Sequence, residues 1–239
     1  MRTVDLVNLP SASGSAPLTP EALNDRLAEA AFYAVLRRLV PVLRHDVAGA
    51  MQPVRMLLMV LERRLQAPEP DLEAITKNVA SVSALTKKAS ADCIGALEWI
   101  GASQDATVSL RSSVDEAIKL LAMELSANGL ELVNGIADES AAAPQSFLHS
   151  VLMGALLAFC DQRTVGSTLQ VTYAAANSHQ HGRLALRMLP DDAGKLPASL
   201  DIVRKYRLID WPDVQAMARS FSVKLERGDG WLTLELPEA

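Results

Sequence analysis

Two long stretches of helical apolar spacing, parted only by Ala67-Pro68-Glu69-Pro70, constrain this chain more than any other feature. So short a break between long helices turns the chain back on itself, and an antiparallel hairpin is the natural product. Thr19-Pro20-Glu21 reads as a helix start: a Thr cap, a Pro at the first helical position and an acid in the first turn. The helix runs to about Gln66. Pro41 and Pro53 fall inside it; each removes a backbone donor and is expected to interrupt and bend it. Asp71 caps the second helix, which ends near Gly101. Leu43, Val47, Ala50, Val54, Leu57 and Leu61 alternate steps of four and three. Leu72, Ile75, Val79, Val82 and Leu85 begin the same pattern on the second helix. Two helices with such seams leave apolar surface uncovered, which argues for a homodimer built as a four-helix bundle.

The pattern then changes. TVSL reads as a short strand, RSSVDEAIKLLAMELSANG as a helix stopped by Gly129, and LELVNGIA as a strand. PQSFLHSVLMGALLAFCDQ is a strongly apolar helix beginning at Pro144. STLQVTYAAA and GRLALRML alternate like neighbouring strands, PDDAGKLPASLD is a loop, WPDVQAMARSFS a helix, and VKLERGDGWLTLELP a hairpin turning at Gly228-Asp229-Gly230. This order predicts an α+β fold: residues 1–18 a flexible arm rich in Ser, Gly and Pro, 19–103 the helical hairpin, and 104–239 a mixed sheet with helices on one face.

Composition narrows the function. Apolar residues make up 49% of the chain and aromatics only 4%, which suits helix-rich packing. A net charge of −5 gives no basic footprint for nucleic acid. Cys93 and Cys160 fall in apolar helical patterns and read as reduced core residues. No run has the length of a membrane span, and MRTVDLVNLPSASGSAPLTP has no apolar core of signal-peptide length, so the expected location is cytoplasmic with no membrane contact.

His45-Asp46, in PVLRHDVAGAMQPVRM, is the pair with chemistry in it. Imidazole is an adequate nucleophile near neutral pH, and an adjacent carboxylate can hydrogen-bond one ring nitrogen, set the tautomer and leave the other free. If Leu43, Val47, Ala50 and Val54 face the seam, His45 lies nearly opposite, on the exposed side. Gln52 and Met59 repeat its position at intervals of seven, and Gly49 and Met56 flank them. That face offers a partner a histidine, a small Gly49 that permits close approach, and adaptable methionines, with Arg44 and Arg55 to attract acidic groups. The plain alternative is a solvated histidine on a helix. His149 reads as a helix-face residue, His179 and His181 as a solvated turn, and Asp191-Asp192 as a loop acid pair.

A helical hairpin bearing His-Asp, followed by this order of strands and helices, resembles the histidine kinases of two-component signalling over roughly residues 25–239. RHDVAGAMQPVRM looks like their phosphoacceptor box, and the final LTLELP resembles the last strand of their ATP-binding domain. The nucleotide motifs depart from the family. Gly154 and Ala158 stand where a kinase carries the Asn residues that serve nucleotide and magnesium. In DDAGKLP, Leu196 replaces a lid glycine, and RLIDWPDV has Trp211 and no glycine where phosphates are held. A kinase-like dimer with a degenerate ATPase domain resembles certain histidine phosphotransferases; HDVAG is closer to the cell-cycle type, although Pro53 stands farther from the histidine. The resemblance implies phosphate carried on His45 Nε2 between response-regulator receiver domains. The exposed helix face then makes Arg44, Gly49, Gln52, Met56 and Met59 the expected partner contacts; the missing motifs imply that no ATP is bound, and the resemblance implies that the receiver supplies Mg²⁺. A non-catalytic dimeric scaffold, or pseudokinase, is the alternative; an ATP-dependent histidine kinase is opposed by the missing Asn and glycine positions.

Overall fold

The computed structural model describes residues 19–101, 106–162, 168–176, 181–189 and 206–237. The expected N-terminal arm, the Asp191-Asp192 pair, Leu196 and His179 lie outside the described residues.

The fold is α+β: a long helical hairpin followed by a mixed sheet with its own helices. Helix α1 spans Pro20–Leu65 and α2 spans Leu72–Glu98. The Thr19 hydroxyl accepts from the Ala22 N–H, and the Asp71 carboxylate accepts from the Ala74 N–H. Each cap satisfies a donor that the first helical turn leaves free. The expected interruption at the prolines does not occur: α1 is one helix through Pro41 and Pro53. The rest of its backbone ladder, together with packing along its length, carries it past the two missing donors.

After the hairpin come β1 (Thr107–Ser109), α3 (Leu110–Ala127), β2 (Glu131–Asn134) and β3 (Ala142–Pro144). A continuous helical stretch follows, built of α4 (Gln145–Phe147), a π-helical turn (Leu148–Leu152) and α5 (Met153–Asp161). Strands β4 (Thr168–Ala174) and β5 (Arg183–Leu189), helix α6 (Trp211–Ser220), and strands β6 (Leu225–Gly228) and β7 (Trp231–Glu235) complete the chain. Pro144 is therefore the last residue of a strand and not the first of a helix. That strand pairs antiparallel with β1, Val108 opposite Ala143. Gly129 ends α3 as expected: at φ +65° it lets the Leu130 N–H reach back to the Leu125 carbonyl at 2.9 Å.

The main sheet has the order β2-β4-β5-β7-β6, with β2 parallel to β4 and the remaining pairs antiparallel. Register brings Val171, Leu186 and Leu232 into one cross-strand row and Leu184 opposite Leu234. All five are fully buried, so one face of the sheet meets the helices. The core does not stop at the sheet domain. Ala28, Ala31, Val35, Leu39 and Leu43 of α1 belong to the same buried cluster as α5, α6 and the strands. The first half of α1 is thus a helix of the sheet domain's core as well as an arm of the hairpin.

A buried ionic cluster fixes that attachment. Arg38 of α1 is 7% exposed; its guanidinium pairs with Asp161 at the end of α5 and with Glu124 of α3, the latter at 2.5 Å and 3.2 Å. Asp161 also accepts from the Ile209 N–H at 2.8 Å. Burial works against the charge on Arg38, but the two carboxylates outweigh it and raise its pKa above the ordinary value.

Candidate functional site

His45 lies on α1 just past the point where the helix leaves the sheet domain. Its side chain is 86% exposed and Asp46's is 61% exposed. The ring Nδ1 lies 3.2 Å from Asp46 Oδ1. With Nδ1–H donating to that carboxylate, Nε2 carries the free lone pair, the tautomer that a nucleophile needs.

The pair stands at the rim of a cleft of about 710 Å³ between α1, α2 and α3. His45, Asp46, Gly49 and Pro53 form one wall; Lys88, Asp92 and Trp99 come from α2 or its end, and Glu116, Lys119 and Leu120 from α3. Arg44, Gln52, Met56 and Met59 are exposed on α1 but do not line this cleft. Gly49 has open space around it: a Cβ there would meet nothing within 4 Å. The predicted residues therefore divide between a cleft and an open helix face.

What sequence reasoning missed is the opposite wall. Lys88, Asp92, Glu116 and Lys119 bear no periodic relation to His45: the hairpin brings the first two near it, and only the folding of α3 against the hairpin brings the last two. Trp99 is the hinge of that arrangement. It caps α2, is 3% exposed, donates its indole N–H to Glu116 at 2.8 Å and stacks on His149 at 3.7 Å between ring centroids.

His149 corrects the sequence reading. It is 4% exposed, inside the π-helical turn and not on a helix face. Burial pushes its pKa down to about 4, partly opposed by a hydrogen bond to the Glu98 backbone carbonyl. It is neutral at physiological pH and serves as a flat packing surface for Trp99.

The positions expected to be poor in nucleotide contacts are occupied by the protein itself. Gly154 and Ala158 are buried, and a Cβ on Gly154 would lie 2.4 Å from Met217 Cε of α6 and 3.7 Å from a Val35 methyl of α1. At the start of α6, Asp210 accepts from the Asp213 N–H and Asp213 accepts from the Asp210 N–H, both at 3.1 Å. Arg207 binds both oxygens of Asp213, at 2.6 Å and 3.0 Å. Burial alone would raise the Asp213 pKa, but Arg207 and the Asp210 amide outweigh it and hold the carboxyl below the usual range. The helix end thus carries two carboxylates of its own.

No family model matches this chain, and no curated protein does. Among solved structures it is similar to the histidine kinase AdeS of Acinetobacter baumannii, at 12% identity and TM-score 0.41, over 77% of this chain and 96% of that one. A catalytic domain of the histidine kinase ThkA aligns at 11% identity and TM-score 0.39, over 55% of this chain and 94% of that one. A bacterial phosphotransferase aligns at 16% identity and TM-score 0.35, over 92% and 98% respectively. All three superpose at TM-scores below 0.5 and carry no weight for what this chain does. Among the described residues, no helix is long and apolar enough to cross a membrane.

Proposed function

We propose that this chain is a histidine phosphotransferase that relays phosphoryl groups between the receiver domains of response regulators through His45. The observation that carries the reading is the His45-Asp46 geometry: an exposed ring whose Nδ1 is held 3.2 Å from a carboxylate, which leaves Nε2 free. Nε2 attacks the phosphorus of a receiver's aspartyl phosphate. The N–P bond forms as the P–O bond breaks, and the aspartate leaves as a carboxylate with the electron pair. Asp46 holds the Nδ1 proton and stabilises the charged imidazole ring; reversal returns the phosphoryl group to a second receiver. Positioning and charge do most of this work, and the receiver brings the Mg²⁺.

The chain takes no phosphate from ATP in this reading. Support comes from the burial of Ala158, from the packing of Gly154 against Val35 of α1 and Met217 of α6, and from the carboxylates Asp210 and Asp213 at the start of α6, where a phosphate would meet like charge. The working unit is a homodimer. Met51, Leu58 and Leu65 recur every seven residues on α1 and are 46%, 41% and 55% exposed in a single copy. Leu72 and Val79, which spacing places in the α2 seam with Ile75, Val82 and Leu85, are instead 74% and 51% exposed and likewise seven residues apart. These positions form a second apolar stripe beside the intrachain seam, as each hairpin of a four-helix bundle requires.

The test is transfer of labelled phosphate from phosphorylated receiver domains to the full-length chain. Wild type is expected to become labelled, and His45→Ala to remain unlabelled while staying folded and dimeric. Equal labelling of both, or of neither, would overturn the relay reading and leave a non-catalytic dimeric scaffold in its place.

A further inference from the structure

The cleft beside His45 contains two lysines in different electrostatic states. Lys88 gives its ammonium to Asp92 at 2.9 Å, so its charge is matched one turn along its own helix. Lys119 is exposed on α3 and makes no ion pair among the described residues. The other charged groups on the cleft walls are engaged elsewhere: Asp46 with the His45 ring, and Glu116 with the Trp99 indole. Lys119 is therefore the cleft's uncompensated cation among the described residues. Its backbone is well anchored. Glu124 ties α3 to Arg38, and the Trp99–Glu116 bond ties it to the end of α2.

We infer that Lys119 is the cation that meets the phosphoryl group carried on His45, and this rests on the relay reading above. A phosphoryl group on Nε2 adds negative charge at the rim of a cleft in which Asp46 is already anionic. In the transfer itself, charge spreads over the three equatorial oxygens. An ammonium on a flexible four-carbon stem, carried by the opposite wall, compensates that charge without having to displace a carboxylate first. The sheet domain then acquires a role that needs no nucleotide: it holds one charge across from the histidine.

The experiment loads the full-length protein in two ways, with phosphoramidate and with a phosphorylated receiver domain, and follows label on His45. Lys119→Gln should slow loading from both donors by about tenfold, the size expected for one partly screened charge near a phosphoryl group. Lys119→Arg, which keeps the charge, should load within about twofold of wild type, and Lys88→Gln should lose less than about threefold because its charge is already matched. Wild-type loading should fall as salt is added, and Lys119→Gln should be flatter. The inference is overturned if Lys119→Gln loads like wild type, if Arg fails to rescue, if Lys88→Gln is equally slow, or if only receiver loading slows, which would make Lys119 a docking residue. A wild-type protein that neither donor labels at His45 would instead sink the relay reading itself.

Discussion

The two halves of α1 have similar apolar density and opposite fates. Before His45, Ala31, Val35 and Leu39 vanish into the sheet domain's core, and even Arg38 is buried. After it, Met51, Leu58 and Leu65 stand open to solvent although their spacing is just as regular. What differs is the covering: α5 and α6 meet the first half, at Val35 beside Gly154 and Met217 and at Asn24 beside Ala216, whereas the second half shares a cleft with α2 and α3 at Gly49 and Pro53 and leaves Met51, Leu58 and Leu65 uncovered. Amphipathic spacing shows that a face wants a partner, and the partner's identity decides what the face does. His45 sits at the changeover, where the helix leaves the shared core and a cleft opens.

The largest effect that could break this contrast belongs to Arg38. Arg38→Ala removes the buried guanidinium that binds Asp161 and Glu124 and should cost about 4 kcal/mol in denaturant unfolding. A loss under about 1 kcal/mol would mean that the first half of α1 is not locked to the sheet domain. Next comes acid. The folded-state pKa of His149 is about 4 against an ordinary 6.5, so the unfolded chain binds the extra proton between those values. Stability is full above about pH 6.5 and should fall by about 3 kcal/mol on reaching pH 4. His149→Phe, followed through Trp99 fluorescence, should flatten that part of the profile.

Gly154→Asn, which puts a kinase-like side chain on α5, should cost about 2 kcal/mol by crowding Met217 and Val35, and calorimetry should show no ATP binding. On the open half, Leu58→Lys should weaken dimerisation about a hundredfold in sedimentation equilibrium, because a charge in an apolar stripe must be desolvated. Thermal unfolding of the sheet domain should barely move. His45→Ala should have the smallest effect on stability, within about 0.5 kcal/mol, since its side chain is exposed.

The sequence made the hairpin legible because its signals are local: Thr19 and Asp71 cap their helices, and the spacing from Leu43 to Leu61 needs no knowledge of the rest of the chain. The strand pair β4–β5 and the β6–β7 hairpin were legible for the same reason. Strand β3 was not, since Ala142-Ala143-Pro144 has no strand periodicity and pairs with β1 only through the folded chain. Nothing local in the sequence marks Arg38, because Glu124 and Asp161, which close on it, are far away in sequence. At the site, His45 and Asp46 were visible as neighbours, whereas Lys119 comes to line the same cleft only after α3 has packed. His149 misled because the π-helical turn widens the helix and spoils the phase from which a face would be read.

The carboxylates at the start of α6 bear on how this protein could change over evolutionary time. Asp210 and Asp213 satisfy each other's amides, and Arg207 is committed to Asp213. Any lineage acquiring a phosphate site there would first have to remove a good cap, strand an arginine and weaken the helix, before any affinity for a nucleotide had appeared. Gly154, wedged under Met217, sets a second such barrier on α5. Each intermediate would be less stable and no more useful, so selection has no downhill path to such a site. Such a sheet domain is free to drift as a support for the hairpin and closed to drifting towards a phosphate site at α6.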